Sequence, residues 1–170
     1  TIARVHGHAF GGGVGLIACC DLAIASEKAQ LGLTEVRLGL TPATIAPFVI
    51  AKIGIKHSRR LMLTGERFDG AMGVRFGLIT ETTPVDQLDG HIDDLLQLLL
   101  AGSPSAQAHT KSLIRLVSQR LDAEQIDEQT ARLIAELRIS PEGQEGLRAF
   151  LEKRHPHWHP DADHPKKDSQ

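Results

Sequence analysis

The sequence predicts an α/β protein whose first third alternates short strands with helices and whose remainder is helical. Three observations lead to this fold class. The chain opens with a β-prone segment that turns through Gly11, Gly12 and Gly13 into an apolar run ending at Asp21. A second strand-like segment, DLAIAS, follows at once. From Val85 onward, apolar residues recur at helical spacing.

The elements of the first third follow from residue type and from glycine positions. Residues 1–6 are predicted as a strand and 12–20 as a helix, whose apolar residues on every face are typical of a helix surrounded by protein. Gly54 separates two further helices, and Gly65 ends the second of them. The other predicted elements are strands at 21–26, 30–33 and 78–82 and helices at 44–53, 56–64 and 69–76.

The rest of the chain is predicted to be helical, with clear signals at the helix starts. The predicted helices cover about residues 85–101, 104–120, 123–138 and 141–154. Ser103 and Ser140 each precede a proline, which is the pattern of a serine N-cap with proline at the first helical position. Asp122 with Gln125 approximates a capping box. The polar segment 155–170 is expected to be disordered.

The composition excludes several classes of function. A chain of 170 residues, 41% of them hydrophobic, can form one core, and its net charge of −2 gives no electrostatic basis for binding nucleic acid. No apolar run reaches the length of a membrane span. Cys19 and Cys20 are adjacent, so we expect free thiols in a cytoplasmic protein and no metal site.

The glycine turn before the first helix predicts a site that polarises a carbonyl group. A helix start leaves backbone N–H groups free, and these donors with the helix dipole hold an anion or a developing oxyanion. A phosphate loop would require Gly-Lys-Ser/Thr, whereas Val14-Gly15-Leu16 follow here. The third glycine of a dinucleotide-binding fingerprint is also missing, because Leu16 stands in its place.

Three segments, in chain order, cover nearly the whole sequence: AFGGGVGLIACCDLAIASEKAQLGLTEVRLGLTP, LMLTGERFDGAMGVRFGLITETTP and EGLRAFLEKRHPHW. They resemble the crotonase superfamily, the enoyl-CoA hydratases and isomerases. The resemblance implies the later half of a ββα spiral core in residues 1–84, a helical trimerisation region in 85–154 and a disordered tail in 155–170. It also implies an acyl-CoA substrate, with coenzyme A as part of the substrate and no separate cofactor, and a homotrimer or dimer of trimers.

Two residues resemble the catalytic groups of this family. Gly12 resembles the glycine whose N–H forms half of the oxyanion hole, which is needed because addition to an enoyl thioester passes through an enolate-like state. Glu35, in GLTEVRLGL, resembles the glutamate that transfers a proton. Leu31, Leu33, Val36 and Leu38 predict apolar surroundings, which favour an uncharged carboxyl group and suit a general acid or base. From the residues alone, a surface glutamate at a strand end is the alternative.

The resemblance implies substrate-binding roles for four further residues, Gly11, Gly15, Pro42 and Lys153. Lys153 and Arg154 resemble a basic pair near the phosphates of coenzyme A, although two positive charges at a helix end also suit the helix dipole.

Gly15 departs from the family pattern, because two-glutamate hydratases carry a glutamate at this position, one turn from the oxyanion glycine. Glycine is expected to leave room there, for a bulkier or branched acyl group or for an ordered water.

The implied activity is hydration of an enoyl-CoA, and the nearest resemblance is to hydratases of methylglutaconyl-CoA and isohexenylglutaconyl-CoA. A Δ-isomerase is the alternative that a single glutamate favours. A third hypothesis is an inactive fragment or structural subunit, because the chain begins at Thr1 without the N-terminal region that in this family supplies the second oxyanion donor.

The histidines are predicted to be incidental. His155, His157, His159 and His164 lie in a proline-rich tail that is expected to lack fixed geometry. His6 and His8 alternate along a strand, so at most one of them should face a pocket, and His8 is the weak candidate.

Overall fold

The computed structural model describes residues 1–118 and 122–162. The chain divides into two compact units, Thr1–Asp94 and a second unit that begins at Leu95.

The first unit starts with two successive strand–strand–helix modules. The elements of the first module are β1 (Ile2–Val5), β2 (Ala9–Phe10) and α1 (Gly12–Cys19). Those of the second module are β3 (Leu22–Ser26), β4 (Gln30–Gly32) and α2 (Ala46–Thr64), with a 3-10 helix at Glu35–Leu38 between β4 and α2. The elements that follow are β5 (Arg67–Asp69), α3 (Gly70–Phe76) and β6 (Glu81–Thr83).

The two modules stack strand on strand in two three-stranded sheets. β1 pairs in parallel with β3, placing Ile2 opposite Leu22, and β2 pairs in parallel with β4, placing Ala9 opposite Leu31. β6 continues the first sheet in parallel, and β5 completes the second sheet in antiparallel orientation. Each module therefore repeats the path of the module before it, which confirms the predicted α/β class and the ββα spiral.

The helices of the first unit cover a core of aliphatic side chains. The fully buried members include Val14, Leu31, Leu33, Val49 and Leu61. α1 is buried on one side only, because Leu16 is 73% exposed and Cys19 is exposed on the same helical stripe as Gly12. The expectation that the helix at 12–20 is surrounded by protein on every face is therefore wrong, since the described residues leave one face of α1 exposed.

The predicted helix boundaries of the first unit are confirmed where glycine or a cap sets them. Gly54 breaks α2 with a left-handed backbone (φ 73°, ψ 166°), and Gly65 ends it. Asp69 caps α3 by accepting a hydrogen bond from the Met72 amide at 2.8 Å. The predicted strand at 78–82 is shorter and later than expected, because the chain leaves α3 through Leu78, whose amide donates to the Gly73 carbonyl at 2.9 Å.

Four helices make up most of the rest of the chain: α4 (Leu88–Leu100), α5 (Pro104–Val117), α6 (Ala123–Ile139) and α7 (Pro141–Leu151). The predicted N-caps are all confirmed, since Ser103, Asp122 and Ser140 each accept a backbone hydrogen bond at 2.9–3.0 Å. The last two residues of the helix predicted at 104–120, residues 119 and 120, lie outside the described residues. Within the described ranges, every helix is too short or too polar to traverse a bilayer.

The segment after α7 forms turns up to residue 162. Trp158 Nε1 donates to the Ala101 carbonyl at 3.3 Å, and the His159 amide donates to the Pro156 carbonyl at 2.9 Å. Residues 163–170 of the predicted disordered tail lie outside the described residues. The division of the chain at residues 84 and 154 stays a prediction.

Glu145 and Arg154 join α7 to this segment through a bidentate ion pair. The guanidinium nitrogens of Arg154 lie 2.6 and 2.9 Å from the two carboxylate oxygens of Glu145, which also accept a hydrogen bond from the His157 amide at 3.1 Å. The Arg154 hydrogen bonds lower the pKa of Glu145 from its ordinary 4.5 to about 2, against the opposing effect of burial. The charged pair is therefore part of the fold of the second unit.

Replacement of Glu145 by Gln should destabilise the second unit in a pH-dependent way. Because the folded-state pKa is lowered, the carboxylate stabilises the fold fully above about pH 4.5, and this contribution is lost as the pH falls through about 2. We expect the urea midpoint of the variant, followed by the fluorescence of the single tryptophan Trp158, to lie below that of the wild type at pH 7. The difference should shrink steadily as the pH is lowered.

Glu128→Gln is the matched control, because Glu128 forms an exposed pair with Arg132 in the same unit. An exposed pair contributes about 0–1 kcal/mol, so this variant should shift the midpoint little. A Glu145→Gln difference that is equal at pH 7 and pH 2 would contradict the assigned role of the carboxylate.

Candidate active site

The turn from β2 into α1 is built on Gly11. Its backbone is left-handed (φ 54°, ψ −118°), a conformation that residues with side chains rarely adopt. The Gly11 amide donates a 2.9 Å hydrogen bond to the Gly32 carbonyl at the end of β4. The turn is thereby tied to the second sheet, and the direction in which α1 starts is fixed.

The start of α1 leaves two backbone amides unpaired. The amides of Val14 and Gly15 donate to the Gly11 carbonyl at 3.0 and 3.2 Å, whereas those of Gly12 and Gly13 have no acceptor among the described residues. Gly12 is exposed, and a methyl group added to it would meet no atom within 4 Å. The Gly12 backbone is therefore open on the side where a side chain would stand.

The carboxyl group of Glu35 lies against this turn. A methyl group added at Gly11 would come within 3.2 Å of Glu35 Oε1, which places the carboxyl group directly beside the glycine backbone. Glu35 Oε2 is buried and accepts no hydrogen bond from any described residue. The structure thus places the carboxyl group of Glu35 beside Gly11, the residue that precedes Gly12, and the catalytic roles of Gly12 and Glu35 stay predictions.

The local structure around Glu35 differs from the sequence expectation. Glu35 is the first residue of a 3-10 helix, rather than a residue at a strand end. Leu31 and Leu33 are fully buried, but Val36 is 41% and Leu38 75% exposed, because the 3-10 turn directs them away from the core. Of the four apolar residues expected to surround Glu35, only Leu31 and Leu33 are therefore buried.

The side chain of Ile45 occupies the space over Gly15. A methyl group added at Gly15 would lie 2.3 Å from Ile45 Cγ2 and 2.8 Å from Ile45 Cβ, closer than carbon atoms approach. The expectation that Gly15 leaves room is wrong, because Ile45 fills that room from the start of α2. The sequence did not predict this contact, because Ile45 follows Gly15 by 30 residues and belongs to no motif. The one indication in the sequence was the presence of a glycine inside an otherwise apolar helix.

Pro42 lies at the base of the segment that enters α2. It is buried, and its carbonyl accepts hydrogen bonds from the amides of Ile45 and Ala46 at 3.2 and 2.9 Å. Pro42 also lines an open, largely apolar cavity of 520 Å³ together with Leu40 and Met62. Its position supports a role in shaping the site through Ile45, and its contact with substrate stays a prediction.

Lys153 and Arg154 have different environments within the second unit. Arg154 is held by Glu145 and by Glu152 at 2.7 Å, and these hydrogen bonds raise the pKa of its guanidinium group. Lys153 has a left-handed backbone (φ 53°) and an exposed side chain that forms no ion pair among the described residues. The structure therefore gives Arg154 a structural role, and the predicted role of Lys153 stays a prediction.

The histidines in residues 1–118 and 122–162 are not grouped into a metal-binding cluster. The continuous segment from Ala3 to Ala9, which includes His6 and His8, borders an open cavity of 410 Å³. The Nδ1 atom of His8 accepts a hydrogen bond from the Gln30 amide at 3.1 Å, and the expectation that at most one of the two histidines faces a pocket stays a prediction. The rings of His155 and His159 stack 4.0 Å apart, and no described group of three acidic, histidine or cysteine residues could hold a metal ion. His164 lies outside the described residues.

Comparison with known proteins gives consistent matches over nearly the whole chain. The family model described as enoyl-CoA hydratase/isomerase matches residues 1–161. The solved structure of an enoyl-CoA hydratase from Shewanella pealeana is 43% identical with a TM-score of 0.85, over 89% of this chain and 57% of that chain. AtuE from Pseudomonas aeruginosa is 40% identical with a TM-score of 0.84, over 88% of this chain and 58% of that chain.

A curated relative gives the same picture. The mevalonyl-coenzyme A hydratase sidH of Aspergillus fumigatus is 30% identical over 165 residues, which are 94% of this chain and 60% of that protein. The chain thus spans between 57% and 60% of the length of these three relatives. The match over residues 1–161 and the shared spiral of two sheets show that the chain belongs to the enoyl-CoA hydratase/isomerase family and has the crotonase fold.

Proposed function

We propose that the protein is a hydro-lyase that adds water across the α,β double bond of an enoyl-CoA thioester. The observation that carries this proposal is the carboxyl group of Glu35, which lies beside the glycine turn with Oε2 buried and unpaired among the described residues. A buried carboxylate oxygen without a hydrogen bond costs free energy. A site that retains such an oxygen is suited to accept a proton or a hydrogen bond from a bound substrate or water.

In this proposal the Gly12 N–H and Glu35 divide the chemistry between them. The Gly12 N–H, helped by the dipole of α1, donates to the thioester oxygen as negative charge develops there. The oxygen of water bonds to the β-carbon, and the electron pair of the double bond moves into the enolate. Glu35 takes a proton from the attacking water and returns one to the α-carbon, so that the thioester gains one water and the carboxylate is restored.

We propose further that the acyl group is branched or carboxylated, as in methylglutaconyl-CoA. This rests on the resemblance of GGGVGL, GLTEVRLGL and TPATIAP to hydratases of such thioesters. Gly11, Gly15, Pro42 and Lys153 are the proposed substrate-binding residues, coenzyme A enters as part of the substrate without a separate cofactor, and the proposed assembly is a homotrimer or a dimer of trimers. Mevalonyl-coenzyme A hydratase among the relatives supports a coenzyme A thioester as the substrate class.

A Δ-isomerase is the second candidate, and one observation favours it. Ile45 excludes a side chain at position 15, so Glu35 is the only carboxylate placed at the glycine turn by the described residues. A single carboxylate suffices to take a proton from the α-carbon of a 3-enoyl thioester and to return it to the γ-carbon, so that the double bond moves into conjugation with the thioester. Migration of the double bond in a 3-enoyl-CoA without hydration would favour the isomerase, and loss of the enoyl absorbance of crotonyl-CoA or methylglutaconyl-CoA would favour the hydratase.

Replacement of Glu35 by Gln should abolish either activity while leaving the fold intact. The amide keeps the shape of the side chain but exchanges no proton, so we expect kcat to fall by roughly 10²–10⁴-fold. The rate of hydration and the rate of migration are measured on the same purified protein, alongside the far-ultraviolet circular dichroism.

Glu27→Gln is the control for this variant, since it makes the same charge change at an exposed position. Full activity of Glu35→Gln would refute the assignment of Glu35. Failure of the wild type to bind any acyl-CoA would instead support a purely structural role for the chain.

Replacement of Gly12 by Ala should separate activity from stability. The added methyl group meets open space in the described chain, and the backbone at Gly12 is not left-handed, so the fold should gain about 0.5–1 kcal/mol from reduced backbone freedom. The same methyl group would stand where the thioester oxygen approaches the amide. We therefore expect kcat/KM to fall by about 10²-fold, comparable to the loss of one oxyanion donor.

Gly90→Ala provides the comparison, because an added methyl group at this helical glycine also meets no atom within 4 Å. It should stabilise the protein similarly and leave kcat/KM unchanged. Equal activities of the two alanine variants would show that the Gly12 amide does not bind the substrate.

A further inference from the structure

Lys52 of α2 binds the far end of the helix that starts at the glycine turn. Its ammonium group donates a hydrogen bond of 2.8 Å to the carbonyl of Cys20, the residue at which α1 ends, and one of 3.0 Å to the carbonyl of Asp21. The Lys52 side chain is half-buried. A helix leaves its last carbonyl groups without partners inside the helix, so Lys52 supplies donors where the end of α1 needs them.

α1 and the first half of α2 run side by side in the same direction. Ile45, at the start of α2, packs on Gly15 in the first half of α1, and Lys52, further along α2, reaches the end of α1. The helical backbone of α2 is interrupted at Gly54. Lys52 therefore lies in the last turn of one helical segment and is bound to the end of another.

The charges on this pair of helices are placed at one end only. Neither helix carries an acidic residue in its first turn, and no Asp or Glu occurs between Val36 and Gly65. Parallel helix dipoles repel each other at both ends, where partial charges of the same sign lie side by side. The Lys52 cation offsets this repulsion at the carbonyl ends. At the amide end of α1, the positive potential acts on the Glu35 carboxyl group beside Gly11 and on any ligand oxygen at the first amides.

We infer that Lys52 is a positioning residue, which fixes α1 in place and strengthens the positive potential at the first amides of that helix. This inference rests on the proposed function, in which the Gly12 N–H donates to the thioester oxygen. α1 has eight residues and is about 12 Å long, so a charge at one end still acts on the other. Without Lys52, the partial negative charge at the end of α1 would oppose the negative charge that develops on the thioester oxygen.

The attachment of α1 by Lys52 is tested by hydrogen exchange, which does not depend on activity. Lys52→Met removes the charge and both hydrogen bonds, so the hydrogen-bonded amides of α1 (Gly12–Cys19) should exchange faster. Lys52→Arg keeps a cation with several N–H donors, and its exchange rates should stay close to those of the wild type. Lys56→Met removes a cation from an exposed position of the same helix and is the matched control. Equal exchange in Lys52→Met and the wild type would overturn the inference.

The electrostatic effect of Lys52 is tested by the polarisation of a bound thioester carbonyl. An enoyl-CoA labelled with ¹³C at this carbonyl is bound in the Glu35→Gln background, which prevents turnover, and its C=O stretching frequency is measured by infrared difference spectroscopy. Donation from the Gly12 N–H lowers this frequency. We expect a smaller lowering with Lys52→Met than with the parent and a restored one with Lys52→Arg. Lys52→Gln keeps N–H donors without the charge and should resemble Lys52→Met, whereas Lys56→Met should match the parent.

The kinetic consequence of the same substitutions is measured with Glu35 intact. The negative charge on the thioester oxygen is greatest in the transition state, so the loss of Lys52 should lower kcat more than it changes KM. We expect kcat to fall about fivefold in Lys52→Met and in Lys52→Gln, which is the size of effect that a charge at a helix end produces. Lys52→Arg should retain most of the activity, and Lys56→Met should retain all of it.

The outcomes separate this inference from the function on which it rests. An active wild type whose carbonyl frequency and kcat are unchanged by Lys52→Met would overturn the inference and leave the proposed function intact. A wild type that binds no acyl-CoA would overturn both. Lys52→Gln provides the same comparison if Lys52→Met does not fold, since it removes the charge and keeps a polar side chain.

Discussion

The site depends on one backbone hydrogen bond, from the Gly11 amide to the Gly32 carbonyl at 2.9 Å. This bond continues the pairing of β2 with β4 by one step and ends it, because the left-handed backbone of Gly11 turns the chain into α1. Glu35 follows Gly32 by only three residues, so the same bond sets where its carboxyl group lies. The position of the Glu35 carboxyl group beside Gly11 is therefore a consequence of sheet register.

Features that are encoded locally could be predicted from the sequence. The serine and aspartate caps, the break at Gly54 and the glycine turn each depend on a few adjacent residues, and the structure confirms them. Two features of the site could not be predicted in this way. The first is the 3-10 turn, which exposes Val36 and Leu38 although their apolar neighbours in sequence predicted burial. The second is the contact between Ile45 and Gly15, which forms because the second module lies against the first. Such long-range contacts cannot be predicted from residues that are adjacent in sequence.

The basic pair at the end of α7 shows why residue type alone leaves function open. Lys153 and Arg154 are adjacent and have the same charge, and family resemblance treats them alike. In the second unit, Arg154 is drawn into a bidentate pair with Glu145, nine residues earlier, which lowers the pKa of that carboxyl group to about 2. A guanidinium group suits such a planar pair and an ammonium group does not. The different environments of the two residues follow from geometry, since Arg154 is held in ion pairs with Glu145 and Glu152 while the side chain of Lys153 is exposed.

The relation between positions 15 and 45 gives the departure at Gly15 a physical meaning. A glycine at a family glutamate position could be read as the loss of a catalytic group with empty space left behind. The close packing of Ile45 shows that glycine is instead required, because even the Cβ of alanine would lie 2.3 Å from Ile45 Cγ2. The two residues are therefore best understood as one unit: isoleucine at 45 can border the turn only if 15 has no side chain. A side chain could be accommodated at position 15 only if position 45 also changed, so the packing of the core keeps a second carboxyl group away from this part of α1.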